Sequence, residues 1–172
     1  MNKKLWWAVP LVIVLAVIFY AMMKSNSTVP QPAPIAFDPL NATYVIENRP
    51  VALFEGKSSD GTAMVFGQPV TGDLNGDGKP DAALVLVTNP GGSGTFYYVV
   101  VAINATNGPQ GTNGILLGDR IAPQDISIKD GEVIVDYADR KPSDPMSAPP
   151  SIGVTKYFAL NGSALLTTTT AP

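Results

Sequence analysis

Residues 96–103, Phe96-Tyr97-Tyr98-Val99-Val100-Val101-Ala102-Ile103, contain no charged side chain. Both alternating sets are apolar or aromatic: Phe96, Tyr98, Val100 and Ala102 on one side, Tyr97, Val99, Val101 and Ile103 on the other. Successive side chains of a strand point to opposite faces, so this segment offers no face suited to water. Its β-branched and aromatic residues favour the extended form. A central strand covered on each side is therefore expected, which requires a sandwich or a closed barrel rather than one exposed sheet.

Upstream, residues 82–88 form a second apolar run, ended by Asn89-Pro90-Gly91-Gly92, and read as another buried strand. Further candidate strands are 43–46, 51–54, 62–66, 95–103 (containing the segment above), 115–117, 125–128, 132–137 and 156–160. Lys129-Asp130-Gly131 and Asn161-Gly162 are hairpin signals, because Asp-Gly and Asn-Gly accept the left-handed backbone of tight turns. No segment of this part sustains a helical apolar period over three turns. Residues 40–166 are thus expected as one all-β domain, a sandwich or barrel large enough for a single core.

Between 62–66 and 82–88 lies Gly72-Asp73-Leu74-Asn75-Gly76-Asp77-Gly78-Lys79-Pro80-Asp81. Asp73, Asn75, Asp77 and Asp81 stand at relative positions 1, 3, 5 and 9, an order in which a curled loop turns alternate oxygen donors inward around a hard cation. Gly78 holds position 6, where the chain must turn sharply, and Lys79 would offer its carbonyl oxygen. The expected ion is calcium. An EF-hand is excluded: position 12 is Leu84 instead of a bidentate Glu, Pro80 lacks the N–H normally offered at position 8, and the flanks are strand-like. A metal-free turn would explain Asn75-Gly76 and Asp77-Gly78 but not Asp73 and Asp81, whose charges add to that of Asp77 and repel unless neutralised.

Phe66-Gly67 followed by residues 72–81 resembles the strand-loop-strand calcium motif of FG-GAP and VCBS repeats. The resemblance implies that Asp73, Asn75, Asp77 and Asp81, with the Lys79 carbonyl, hold calcium. The motif occurs once, whereas a propeller needs about four or more blades, so neither a complete propeller nor its adhesion functions are expected. A wider pattern is also present: Asn41-Ala42-Thr43-Tyr44, the calcium-type loop, Gly91-Gly92-Ser93-Gly94-Thr95-Phe96-Tyr97-Tyr98, Leu117-Gly118-Asp119-Arg120 and Asp144-Pro145-Met146. This order resembles a group of uncharacterised bacterial envelope proteins. Members often have a Cys-Cys pair where this chain has Ser147-Ala148. The group implies an envelope location and a β-rich fold.

Residues 1–4 carry Lys3 and Lys4 and are expected to be cytoplasmic. Residues 5–23 carry no charge and suffice, as a helix, to cross a bilayer core of about 30 Å. With only Lys24 close behind, the positive-inside rule places the C-terminal bulk outside the cytoplasm, in the periplasm or extracellular space. A cleaved signal peptide would need small residues in an A-x-A pattern; cleavage after Ala21 would put Phe19 in that pattern, so an uncleaved signal anchor is expected. Residues 24–39 contain Pro30, Pro32, Pro34 and Pro39 and read as a tether. In polyproline form, roughly 15 residues at about 3.1 Å each would span about 40 Å. Residues 167–172 read as a disordered tail.

Absence of His and Cys removes Ser-His-Asp and Cys-His nucleophiles, disulfides and the usual zinc or iron sites. A net charge of −3 with no basic stripe disfavours nucleic acid. Gly91-Gly92-Ser93-Gly94 lacks the Lys and Ser/Thr of a P-loop and reads as a flexible connection. Asp119-Arg120 reads as a structural ion pair. Asn26, Asn41, Asn104 and Asn161 begin Asn-x-Ser/Thr sequons, meaningful only in a host that glycosylates exported proteins. Two function classes follow. The favoured one is a non-catalytic envelope module, with no catalytic residues, that binds an envelope protein or a glycan through a calcium-rigidified β-scaffold. The other is an envelope hydrolase using paired carboxylates among Asp125, Asp136 and Asp139, which would need two acids converging in a cleft.

Overall fold

The computed structural model describes Tyr20, residues 36–145 and residues 147–168. Apart from Tyr20, the expected span at 5–23 lies outside the described residues, as do residues 24–35 of the tether and 169–172 of the tail. Among the described residues no helix is long and apolar enough to cross a membrane.

Strands make up 61% of the described residues, which places the folded part in the all-β class. In chain order they are β1 (Thr43–Ile46), β2 (Arg49–Phe54), β3 (Lys57–Ser58), β4 (Ala63–Gly72), β5 (Asp81–Thr88) and β6 (Phe96–Ala105), then β7 (Gly108–Gly111), β8 (Ile115–Asp119), β9 (Ala122–Lys129), β10 (Glu132–Asp139), β11 (Ile152–Asn161) and β12 (Ala164–Thr168). Every strand expected from the sequence is present, several of them longer. β3, β7 and β12 were not expected. β3 is too short to show alternation, and the Gly108-Pro109-Gln110-Gly111 of β7 has no strand propensity. β12 extends through Thr167 and Thr168, which pair with Phe158 and Tyr157, so the tail expected from residue 167 is ordered strand at its first two positions. The β-branched threonines suit the extended form, and a turn at Gly162-Ser163, one residue beyond the Asn161-Gly162 expected, folds them back on β11.

β1 to β7 follow one another in an antiparallel sheet, with β8 pairing the first half of β6 and β7 its second half. This sheet curls until its ends meet: the Val45 amide donates to the Thr112 carbonyl at 3.0 Å and the Gly114 amide to the Val45 carbonyl at 2.8 Å. A nearly closed barrel results, enclosing Tyr44, Ile46, Leu53, Leu84, Leu86, Tyr98 and Val100. The second sheet, β12-β11-β10-β9, lies on the outside of this barrel. Its Val133, Val135, Tyr137, Phe158 and Leu165 pack on Ala83, Val85, Val99 and Val101.

β5 and β6 therefore belong to two cores at once. Leu84 and Val100 face the barrel interior, while Val85 and Val99 face the outer sheet, and all are buried. The expected choice between sandwich and barrel resolves into a barrel wall that is also one layer of a sandwich. Burying a Val or Leu side chain contributes about 1.5–3 kcal/mol, so this two-strand ridge holds much of the stabilising area. Two polar ties fix the layers: the Tyr137 hydroxyl donates to the Leu117 carbonyl at 3.1 Å, and the Asn113 side chain pairs with both the amide and the carbonyl of Leu165.

Barrel closure brings backbones too close for a side chain at Gly111, where a Cβ would stand 2.2 Å from the Thr43 carbonyl oxygen. Gly111→Ala is expected to lower stability by about 1–3 kcal/mol, because backbone at a closed seam cannot yield. Gly153→Ala, where a Cβ meets nothing within 4 Å, should stay within about 0.5 kcal/mol of the parent. Urea unfolding of the two variants checks the seam; equal effects would mean that it is open.

Candidate metal centre and barrel mouth

The loop of residues 73–80 joins β4 to β5, whose register closes at Gly72 and Asp81. Gly78 has φ +79°, the left-handed turn expected at position 6, and Gly76 has φ +78°. The loop is wound by its own side chains. Asp73 accepts from the Gly76 amide at 2.7 Å and from the Gly78 amide at 2.9 Å; Asn75 accepts from the Asp77 amide at 2.9 Å and Asp77 from the Lys79 amide at 2.8 Å. The Gly78 amide, ahead of those of Gly76, Asn75 and Asp77, holds the Asp73 carboxyl below its ordinary value of 3.8. A lowered pKa in the folded state stabilises above the unfolded pKa, and that contribution is lost as the pH falls through the folded value.

Two residues fasten this loop to the domain. Leu74 is buried in the core between barrel and outer sheet. Its amide donates to Asp81 Oδ2 at 3.1 Å, while Asp81 Oδ1 accepts from the Asn104 amide at 2.8 Å. Asp81 is fully buried. The carboxylate thus ties the loop, the start of β5 and the end of β6 together.

The donors are all oxygen, which suits a hard cation, and the Lys79 carbonyl accepts no hydrogen bond from the described residues. The carboxylates are not drawn to one point: among the described residues no three acidic side chains gather closely enough to hold a metal ion. Asp77 and Lys79 approach one another at 3.7 Å on the exposed rim. Each carboxylate oxygen has a second lone pair, so its bond to an amide leaves it able to ligate. The donor types are those calcium takes, but the expectation that a turn leaves Asp73 and Asp81 unexplained is corrected: Asp73 caps the amides of the turn and Asp81 is a buried fastening, both without a metal.

The other candidates from the sequence are structural. Arg120 forks onto both oxygens of Asp119, whose carboxyl is held low first by that contact. Asp119 also accepts from the Thr95 amide at 2.8 Å, anchoring the end of the 91–94 loop. Arg140, which the sequence did not single out, donates to the carbonyls of Asp119, Arg120 and Ala148. Asp125 and Asp136 face one another across β9 and β10, with Thr155 donating to Asp136. Asp125 is exposed and Asp136 only half-buried, while Asp139 is turned to the Arg140 amide.

The barrel interior opens at one end into a cleft of about 340 Å³ between the β1–β2 turn and the strand ends near Ala63, Thr88 and Phe96. Tyr98 stands inside it and donates to Glu47 Oε1 at 2.8 Å. Burial first, then the bond to Glu47, pushes the Tyr98 phenol up to about 12, so it remains a donor at neutral pH. Asp60 Oδ1 accepts from the Ser58 hydroxyl and from the amide and hydroxyl of Thr62, and these bonds pull the carboxyl down to about 2. Arg49 also lines the mouth, and its side chain makes no ion pair or hydrogen bond with the described residues. No sequence signal marks this cleft, because its walls come from segments around residues 47, 60, 88 and 97.

Asp81→Asn should destabilise the full-length protein by about 2–4 kcal/mol in chemical denaturation, since an amide cannot accept both buried N–H groups. Asp77→Asn, on the exposed rim, should cost under about 1 kcal/mol without added calcium. Equal losses would show that Asp81 is not the fastening. No protein-family model matches the chain, no curated protein is significantly similar to it, and no solved structure matches it.

Proposed function

We propose that the chain is a membrane-tethered, extracytoplasmic binding module without catalytic activity, stabilised by calcium at the loop of residues 73–81. The observation that carries this reading is the fastening of that loop, through Leu74 and Asp81, to the barrel wall and the inter-sheet core at once. Asp73, Asn75, Asp77, Asp81 and the Lys79 carbonyl would hold the ion, which would supply charge neutralisation and cross-linking. An ion bound only by the native state stabilises the fold by mass action.

The non-catalytic reading is supported by the absence of His and Cys and by the separation of the acids: Asp125 lines a cleft of about 240 Å³ with Phe66, Gln68 and Val70, and neither Asp136 nor Asp139 reaches it. The tether and the extracytoplasmic location are supported by the uncharged segment 5–23, Lys3 and Lys4 before it, and the proline-rich residues that follow.

Melting of the full-length protein in detergent should rise with calcium. At about 100 times the dissociation constant, linkage contributes about 2.7 kcal/mol, an upward shift of roughly 5–15 °C for a domain of this size. Magnesium, which demands a tighter octahedron and dehydrates reluctantly, should act weakly. The shift should vanish in Asp77→Ala; wild type melting alike in calcium and in chelator overturns the metal. For location, protease added to intact spheroplasts should degrade the β-domain, and its survival, with degradation only after lysis, overturns the export.

A further inference from the structure

We propose that the mouth of the barrel, at Glu47, Arg49, Asp60 and Tyr98, binds a neutral saccharide ring; this rests on the reading of the chain as a binding module. The rim carries both signs of charge without pairing them. Arg49 has no ion pair or hydrogen bond, and neither Glu47 nor Asp60 has a cationic partner, among the described residues. A cationic ligand would face Arg49, and an anionic one would face two carboxylates. A neutral hydroxyl-rich ring suits both, donating to the carboxylates and accepting from the guanidinium.

The acceptors are held in place beforehand. Glu47 uses Oε1 on the Tyr98 hydroxyl, and Asp60 uses Oδ1 on Ser58 and Thr62, so one oxygen of each is committed to the protein and the other is left for a ligand. Preorganised polar groups lose less entropy on binding. The same cleft is lined by Phe96, Val51, Pro50 and Pro90, apolar surface that matches the C–H face of a pyranose. At about 340 Å³ the cleft lies at the small end of ligand sites, the size for one ring of a longer glycan. Outside the barrel, Phe54 is exposed on β2 away from this mouth and serves as a control.

The test is saturation-transfer NMR on the full-length protein with calcium in a sugar-free detergent, probed with maltotriose and with chitotriose at about 10 mM, and with spermidine and trigalacturonate as charged counterparts. At least one neutral trisaccharide should bind with a dissociation constant of about 1 mM. Arg49→Ala and Glu47→Gln should weaken it by roughly fivefold or more, about the loss expected for a hydrogen bond to a charged group. Phe54→Ala should leave it unchanged. The Arg49 side chain makes no ion pair or hydrogen bond with the described residues and its strand pairing to Ile46 is through the backbone, so its variant folds as the parent does and its result stands by itself. Absence of transfer to both neutral probes, equal binding by Arg49→Ala, or tighter binding of either charged probe overturns the proposal. A calcium-dependent melt without saccharide binding removes this site alone. Saccharide binding without a calcium shift removes the metal and leaves this site standing.

Discussion

β5 and β6 are buried on both faces, and the two sheets are arranged to cover them. Leu84 and Val100 look into the barrel, Val85 and Val99 look out beneath the second sheet, and neither set touches water. A pair of strands with two apolar faces cannot be satisfied by one open sheet, so the chain must both curl the first sheet and lay a second upon it. The curl is completed at Val45 through its bonds to residues 112 and 114. The covering layer is held by Tyr137 and Asn113, whose polar atoms reach across to backbone groups of the other sheet.

The loop of residues 73–81 sits where these two requirements meet. It links β4 and β5, places Leu74 in the core between the layers, and brings the buried Asp81 carboxylate onto amides from the loop and from β6. An unpaired buried carboxylate would be costly, and two backbone donors make this one stabilising. The exposed residues of the loop do different work: Asp73, Asn75 and Asp77 cap the amides of the turn and keep it wound. The segment is thus fastened at one end and self-capped at the other, and a cation there would act on a loop already formed.

The middle of the barrel is filled by side chains. The interior is closed by Leu84, Leu86, Tyr98 and Val100, so space inside the barrel opens only where its strands stop. At one end stands the cleft with Glu47, Arg49, Asp60 and the Tyr98 hydroxyl. The Arg120 and Arg140 contacts hold a different group of loops, tying residues 95, 119, 120 and 148 together. These two arginines are occupied by protein groups, while the side chain of Arg49 is not.

The all-β class, the central place of residues 96–103, the Asp130-Gly131 hairpin and the left-handed turn at Gly78 were legible in the residues alone, because each depends on local alternation or on a residue's own backbone freedom; the hairpin expected at Asn161-Gly162 is present but turns at Gly162-Ser163, with Asn161 still paired to Ala164. β7 escaped notice because Gly108-Pro109-Gln110-Gly111 has no strand propensity and is extended only by pairing with β6. The two-residue turn at Glu47 and Asn48 lacks the glycine that would have announced it, although both residues are left-handed, with φ +49° and +64°. Asp81 could be read as a loop oxygen donor, but its burial beneath β6 depends on where Asn104 lies. The barrel mouth was decided entirely by tertiary structure: residues 47, 60, 88 and 98 meet only when the sheet closes, and no spacing along the chain encodes that closure.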